Sequence, residues 1–316
     1  MGSIAAIGEA LVEIMRTELD QPLDRPAGLV GPFASGAPAI FADAVAKLGA
    51  DALFVGTVGK DAFGDCIVNR LTADGVNCSA MRRHPQALTG IAFVSYRSDG
   101  SRNFVFHLAD AAAAHVSLSQ IPRQALDAID HVHIMGSSLS GSEAMREACY
   151  ALAAEVHGRG GTVSLDPNLR PELLPVERIR EVCEPIVSRA RVVLPSGAEL
   201  TALTGQTEPD AGATYLLERG VELVALKLGD QGSRLYTRDG ALDVAPYHIS
   251  EVDPTGAGDC YDAAIIVGLA EGWDLARVGR FANAAGALAT TRQGPLEGVP
   301  TRAELQRFME SQRRPL

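Results

Sequence analysis

Two rhythms of hydrophobic and polar positions run along the chain. Short apolar runs rich in β-branched residues occur at Ile4–Ile7, Leu53–Val58, Val132–Met135, Thr162–Leu165, Val192–Leu194 and Leu223–Lys227. Long amphipathic stretches rich in Ala, Leu, Glu and Arg lie between them, as at Pro38–Leu48, Ala62–Ala73, Ser142–Arg159 and Ala211–Arg219. The first pattern predicts buried strands and the second predicts helices. Strands that alternate with helices make right-handed βαβ units. The predicted fold is therefore α/β, with a central, mainly parallel sheet flanked by helices.

Three segments break the rhythm. Glu9–Thr17, Thr89–Tyr96 and Ser101–His107 read as strands, and Asp99-Gly100 between the last two reads as a hairpin turn. Antiparallel pieces inserted into an α/β core predict a small β-strand lid over a site; the plain alternative is an edge hairpin. No repeat or low-complexity linker divides the chain. A single domain over 1–316, with lid segments at about 9–35 and 86–110, is the expected organisation.

Composition narrows the classes. Hydrophobic residues make up 47% of the 316, which excludes a disordered chain. Lys and Arg number 28 against 39 Asp and Glu, a net charge of -11. That balance disfavours nucleic acid and anionic membranes as partners, while a phosphorylated small ligand needs only a local positive field. The five cysteines, Cys66, Cys78, Cys149, Cys183 and Cys260, have no CxxC spacing and suit a reducing compartment. No basic stretch followed by an apolar core occurs in 1–7, and no apolar run approaches the roughly 20 residues that span a bilayer. A cytoplasmic protein is expected.

The strongest chemical signal is Asp253-Pro254-Thr255-Gly256-Ala257-Gly258-Asp259, followed by the apolar run Cys260–Ala270. A Gly-rich loop that opens a helix presents free N–H groups and the positive end of the helix dipole to an anion. Asp259 then sits beside the anion and can take a proton from an attacking hydroxyl. Gly59-Lys60 resembles the end of a P-loop, but Phe54 stands at the required first glycine and Asp61 follows the lysine. No GxGxxG follows a strand, which counts against a dinucleotide dehydrogenase.

The seven-residue run resembles the DTxGAGD motif of the PfkB/ribokinase family of carbohydrate kinases, with Pro254 as its one variation. Further landmarks resemble that family in order along nearly the whole chain. They are Gly8-Glu9, Gly36-Ala37-Pro38-Ala39, Val58-Gly59 with Asp61 and Gly64, and Asp166-Pro167-Asn168-Leu169-Arg170. Ser196 with Glu199, Lys227-Leu228-Gly229 with Gly232, and Phe281 to Gly286 complete the set. The resemblance implies a ribokinase-like fold, ATP and Mg²⁺ as cofactors, and a small-molecule sugar as substrate. It implies that Gly256, Ala257 and Gly258 form an anion hole and that Asp259 is the base. Glu199 would help hold Mg²⁺. Asn168, Ser196, Lys227, Gly229, Gly232, Asn283 and Gly286 would serve the nucleotide. Asp253 and Thr255 resemble positions that bind a monovalent cation, K⁺, in some members.

The sugar end departs from the family pattern. Ser35 replaces a glycine of the first motif, Ile40 stands where an asparagine is expected, and Ser196 replaces another asparagine. Gly36, Glu13, His107 and Arg170 are the expected sugar contacts. Leu108 occupies a position where an arginine would face an acidic sugar, so a neutral ketohexose of the tagatose or fructose type is expected. A 2-keto-3-deoxygluconate kinase, with Arg170 serving the carboxylate, is the competing enzyme. A non-catalytic sugar-binding regulator is the competing class. Exposed lid strands suggest a homodimer paired through the lid.

Overall fold

The computed structural model of the chain describes residues 2–312. Its strands are β1 (Ser3–Ile7), β2 (Leu11–Arg16), β3 (Leu29–Ser35), β4 (Ala52–Gly59), β5 (Met81–His84), β6 (Gly90–Tyr96) and β7 (Arg102–His107). They continue with β8 (Ile129–Met135), β9 (Thr162–Asp166), β10 (Val192–Val193), β11 (Leu223–Lys227), β12 (Ser233–Thr237) and β13 (Gly240–Val244). Nine of these form one sheet in the order β13-β12-β11-β10-β9-β8-β1-β4-β5. All its pairs are parallel except β11 with β12 and β12 with β13.

The sheet is buried on both faces, and this explains why its central strands read as unbroken apolar runs. In β1, Ile4 and Ala6 join the core with Phe41, Phe54 and Ile265 on one face. Ala5 and Ile7 join Leu53, Val55 and Leu152 on the other. Full burial of a Leu, Ile or Phe side chain contributes about 1.5–3 kcal/mol, so either face alone would hold the strand in register. The helices begin where the sequence offers a cap. Asp61 accepts a hydrogen bond from Gly64 N–H at 2.8 Å and opens Ala62–Ala73. Ser142 accepts from Met145 N–H at 3.1 Å and opens Glu143–Gly158.

The remaining strands form a second sheet in the order β3-β2-β6-β7. It is made by two excursions of the chain. One leaves after β1, forms β2 and β3, and returns at Gly36; the other leaves after β5, forms β6 and β7, and returns at Leu108. A parallel β2–β6 pairing, from Leu11 opposite Gly90 to Met15 opposite Val94, joins them. The β6–β7 hairpin turns at Asp99-Gly100, where Arg97 N–H donates to Ser101 O at 2.9 Å and Gly100 takes φ 82°. The Arg16 guanidinium gathers the 17–28 loop through the carbonyls of Pro22, Arg25 and Ala27. This sheet is the lid.

The sequence pattern missed β3, β5, β12 and β13. Each of these is polar or small-residue rich on at least one face, or lies at a sheet edge. Among the described residues no helix is long and apolar enough to cross a membrane. All five cysteines are unpaired, and Cys149, Cys183 and Cys260 are buried.

Candidate active site

The parallel strands of the large sheet end at the same rim. Glu9 follows β1, Ser137 follows β8, and Asn168 and Arg170 follow β9. Ser196 and Glu199 follow β10, and Lys227 ends β11. Ligands in open α/β sheets bind outside these carboxyl ends. Two cavities lie there. One, of about 400 Å³, is bounded by the β12–β13 side and the Leu275–Ala289 helix. The other, of about 420 Å³, lies beneath the lid. Lys227, Gly229, Pro254 and Gly258 line both, so the two cavities meet at the 254–258 loop.

Asp259 stands at this junction. It lies in the first turn of the Ala257–Ala270 helix and lines the lid-side cavity. Gly256 caps the helix at φ 83°, and a Cβ there would come within 2.8 Å of Pro295 O. Only glycine supplies both that backbone angle and that approach. Burial, followed by the nearby Asp166 carboxylate, pushes the Asp259 carboxyl up to about 7 against the pull of Arg170 and Lys227. An acid so placed is poised to exchange a proton near neutral pH.

Beneath Asp259 lies a compensated charge cluster. Lys227 Nζ donates to Asp166 Oδ2 at 2.8 Å and to both carboxylate oxygens of Asp262 at 3.2 Å. Burial works against charge on Asp166, but Lys227 holds it below the usual carboxylate range; burial pushes Asp262 well above that range. Ser164 Oγ bridges His131 Nε2 and His133 Nδ1, each at 2.7 Å, and burial drives both imidazoles down to about 3. These histidines are neutral core groups.

The lid-side cavity contains two further buried carboxylates. Glu13 accepts from Ser35 Oγ at 2.5 Å, its Oε2 has no partner, and burial pushes it up to about 7. Glu9 accepts from Ser137 Oγ and Ser138 Oγ, each at 2.6 Å, and burial raises it as well. Gly36 and Arg170 line the same cavity, as do Arg102, Phe104 and Phe106 of β7.

His107 does not. Along β7 the side chains alternate, so Arg102, Phe104 and Phe106 face the cavity while His107 is exposed on the outer face, edge-on to Phe93. The expected sugar contact is therefore corrected: β7 reaches the cavity through the opposite set of residues. Leu108, next in that inward-facing set, lines the same cavity, and Arg102 adds an arginine to its wall.

The other expected residues divide between the cavities. Ala257, Gly232, Asn283 and Gly286 line the first, with the shared residues Lys227, Gly229 and Gly258. The Asn283 amide is also structural, donating to Val244 O at 3.0 Å and Ala245 O at 2.9 Å. Asn168 and Ser196, expected on the nucleotide side, face the lid-side cavity instead, because β9 and β10 end across Lys227 from the first cavity. Asn168 takes φ 38°, and its Oδ1 is buried without a partner. Glu199 accepts from Ser196 N–H at 2.7 Å and Leu169 N–H at 3.0 Å, and lines that wall too. Asp253 accepts from Tyr96 OH at 2.9 Å, Thr255 N–H at 3.0 Å and Gly294 N–H at 2.9 Å.

The pfkB family carbohydrate kinase model matches residues 1–302. This chain belongs to the pfkB family of carbohydrate kinases. Fructokinase-1 of Oryza sativa subsp. japonica is 34% identical to this kinase, covering 98% of each chain. An Escherichia coli protein designated ribokinase II, solved with ATP and Mg²⁺, superposes with a TM-score of 0.92 at 39% identity, over 98% of this kinase and 100% of that chain. A fructokinase double mutant of Vibrio cholerae O395, solved with fructose, ADP and potassium ion, gives 0.86 at 28% identity over 98% of both. The kinase thus transfers a phosphoryl group to a sugar. Arg102, and Asp262 beneath the site, were not singled out by the sequence reading, and Glu9 was named there only as a landmark without a role. Glu9 had a usable signal, since it directly follows the first core strand.

Proposed function

We propose that this kinase transfers the terminal phosphoryl group of ATP to a hydroxyl of a ketohexose of the fructose type. The observation that carries the reading is the position of Asp259 where the two cavities meet. The nucleotide occupies the cavity beside Asn283 and Gly286, and the sugar occupies the cavity beneath the lid. Asp259 takes the proton from the attacking hydroxyl. The amides of residues 256–258, at the helix N-terminus, receive the phosphoryl oxygens. Glu9 and Glu13 accept hydrogen bonds from sugar hydroxyls, and two buried carboxylates suit a neutral polyol better than an anion.

Magnesium fits the Glu199 and Asn168 wall. The Glu199 carboxylate keeps free lone pairs beyond its two backbone donors, and Asn168 Oδ1 is unpartnered. When bound, the ion supplies charge neutralisation at the phosphates and keeps most of its water ligands. A monovalent cation belongs to the same reading, because Asp253 Oδ2 accepts one hydrogen bond and keeps a lone pair for another partner. A reducing, cytoplasmic setting suits five free thiols. The outer face of the lid, where Val105 is exposed, suits pairing with a second copy.

Arg102 and Arg170 on the sugar-side wall favour one second reading, an acidic substrate of the 2-keto-3-deoxygluconate kind. ADP release with fructose, tagatose and the keto-deoxy acid, at matched ATP and Mg²⁺, decides between them. A ketohexose is expected to give the highest kcat/KM. A clear preference for the acid overturns the neutral-sugar reading and makes the two arginines its carboxylate partners.

A further inference from the structure

The tip of the lid hairpin is bonded to the loop that precedes the anion hole. Tyr96 ends β6, Arg102 begins β7, and the two are directly opposite in the ladder. Tyr96 OH donates to Asp253 Oδ1 at 2.9 Å and lies 3.1 Å from Thr255 Oγ1; Arg102 Nη1 donates to Thr255 Oγ1 at 3.2 Å. Donor chemistry fixes the direction of every bond. A guanidinium only donates and a carboxylate only accepts. Tyr96 has one hydroxyl proton, given to Asp253, so the Thr255 hydroxyl must give its own proton to Tyr96. The chain therefore runs from Arg102 to Thr255, to Tyr96, to Asp253. Successive bonds in such a chain polarise one another.

Asp253 extends the connection. Its Oδ1 also accepts Thr255 N–H, and its Oδ2 accepts Gly294 N–H. One carboxylate, 2% exposed, thus ties together the lid, the start of the anion hole and the 294–295 loop against which Gly256 packs. Tyr96 itself lines neither cavity. Its contacts are to the loop, not to space where a sugar or nucleotide would sit.

We propose that Tyr96 is a positioning residue, the latch through which the lid, seated over the sugar, sets the 255–258 backbone that receives the phosphoryl group. The proposal rests on the kinase reading of the site and adds a coupling between its two halves. A phenol carries its proton at neutral pH, so Tyr96 is able to donate to Asp253. With the latch made, the anion hole is ordered when a sugar is held. Without it, the 255–258 backbone is less ordered beneath a seated lid, and water competes as acceptor.

Tyr96→Phe keeps the ring and removes the central link. Its kcat should fall about tenfold or more with sugar saturating, which is the worth of one hydrogen bond to a charged group. Sugar KM should change less than kcat, and ADP released per sugar phosphate formed should rise. Thr255→Val should reproduce these effects and Thr255→Ser should largely restore them. Amide hydrogen exchange gives a readout independent of turnover: the 255–258 amides should exchange faster in Tyr96→Phe than in the wild type, with the thermal midpoint little changed. Unchanged exchange at 255–258, or a kcat within twofold and unaltered coupling, overturns the latch. If the wild type releases no ADP with any sugar, the kinase reading falls instead, while the exchange comparison still judges the latch.

Discussion

The cavity proposed for the nucleotide is walled by glycines and by side chains from four consecutive stretches of the chain, whereas the cavity proposed for the sugar is walled by side chains from β2, β7 and five strand ends. The first uses Gly229, Gly232, Gly258 and Gly286 to bring main chain close to a ligand. The second buries Glu9, Glu13 and Asp259, all pushed above their usual carboxylate range by burial. Close main-chain surrounds suit a ligand common to a whole family, and the charged residues there, Lys227, Asp230 and Glu251, sit among backbone supplied by glycines. Buried carboxylates select among sugars, but they leave polar atoms unpaired until a sugar arrives, as at Glu13 Oε2. Those buried carboxylates are a cost in stability that the lid side carries until a sugar binds.

Asp259→Asn tests the point where the two halves meet and has the largest expected effect. Turnover should fall about 10²–10⁴-fold, the usual worth of general-base catalysis, with sugar affinity little changed. The same variant should be more stable than the wild type at pH 8. Burial pushes the folded Asp259 carboxyl up to about 7, against an ordinary aspartate value of 3.8 in the unfolded chain. Its stabilising contribution is thus present below 3.8 and lost as pH rises toward 7. A shift of that order is worth a few kcal/mol at most. The gain in melting temperature should shrink as pH falls toward 4. Near-normal turnover in a folded variant would remove Asp259 as the base.

Glu13→Gln probes the sugar half alone. Sugar KM should rise roughly 10–100-fold, as expected for losing a charged acceptor, while the ATP KM stays within about twofold. A matched rise in both constants would blur the division between the cavities. His107→Ala carries the smallest expected effect. An exposed imidazole on the outer face of the lid should alter either KM by less than about twofold, because it touches neither cavity. A sugar-specific defect there would turn β7 over and exchange its two faces.

Much of this molecule was legible before its structure. The parallel core follows from apolar runs buried on both faces, and the 253–259 run marks the phosphate end because its chemistry depends on adjacent residues. Lid contacts were harder to read. In β7 both alternating sets contain apolar members, Phe104 and Phe106 against Val105, so a period of two cannot say which set faces inward. The decision comes from the pairing of β7 with β6, which the local pattern does not encode. Glu9 was similarly obscured, since its partners Ser137 and Ser138 lie 128 and 129 residues away. Those residues meet only because β1 and β8 are neighbours, with Ile7 opposite Ile134.

The lid's construction from two excursions gives it a tolerance that a simple flap would lack. A cut in the solvent-facing turn around Asp99-Gly100 severs the hairpin but not the sheet. On one side of the cut, β6 stays paired with β2 and joined to the core through Thr89; on the other, β7 stays paired with β6 and joined through Leu108. The lid is therefore a seam sewn from both sides, and a break at its outermost stitch leaves two fragments that still close over the same cavity.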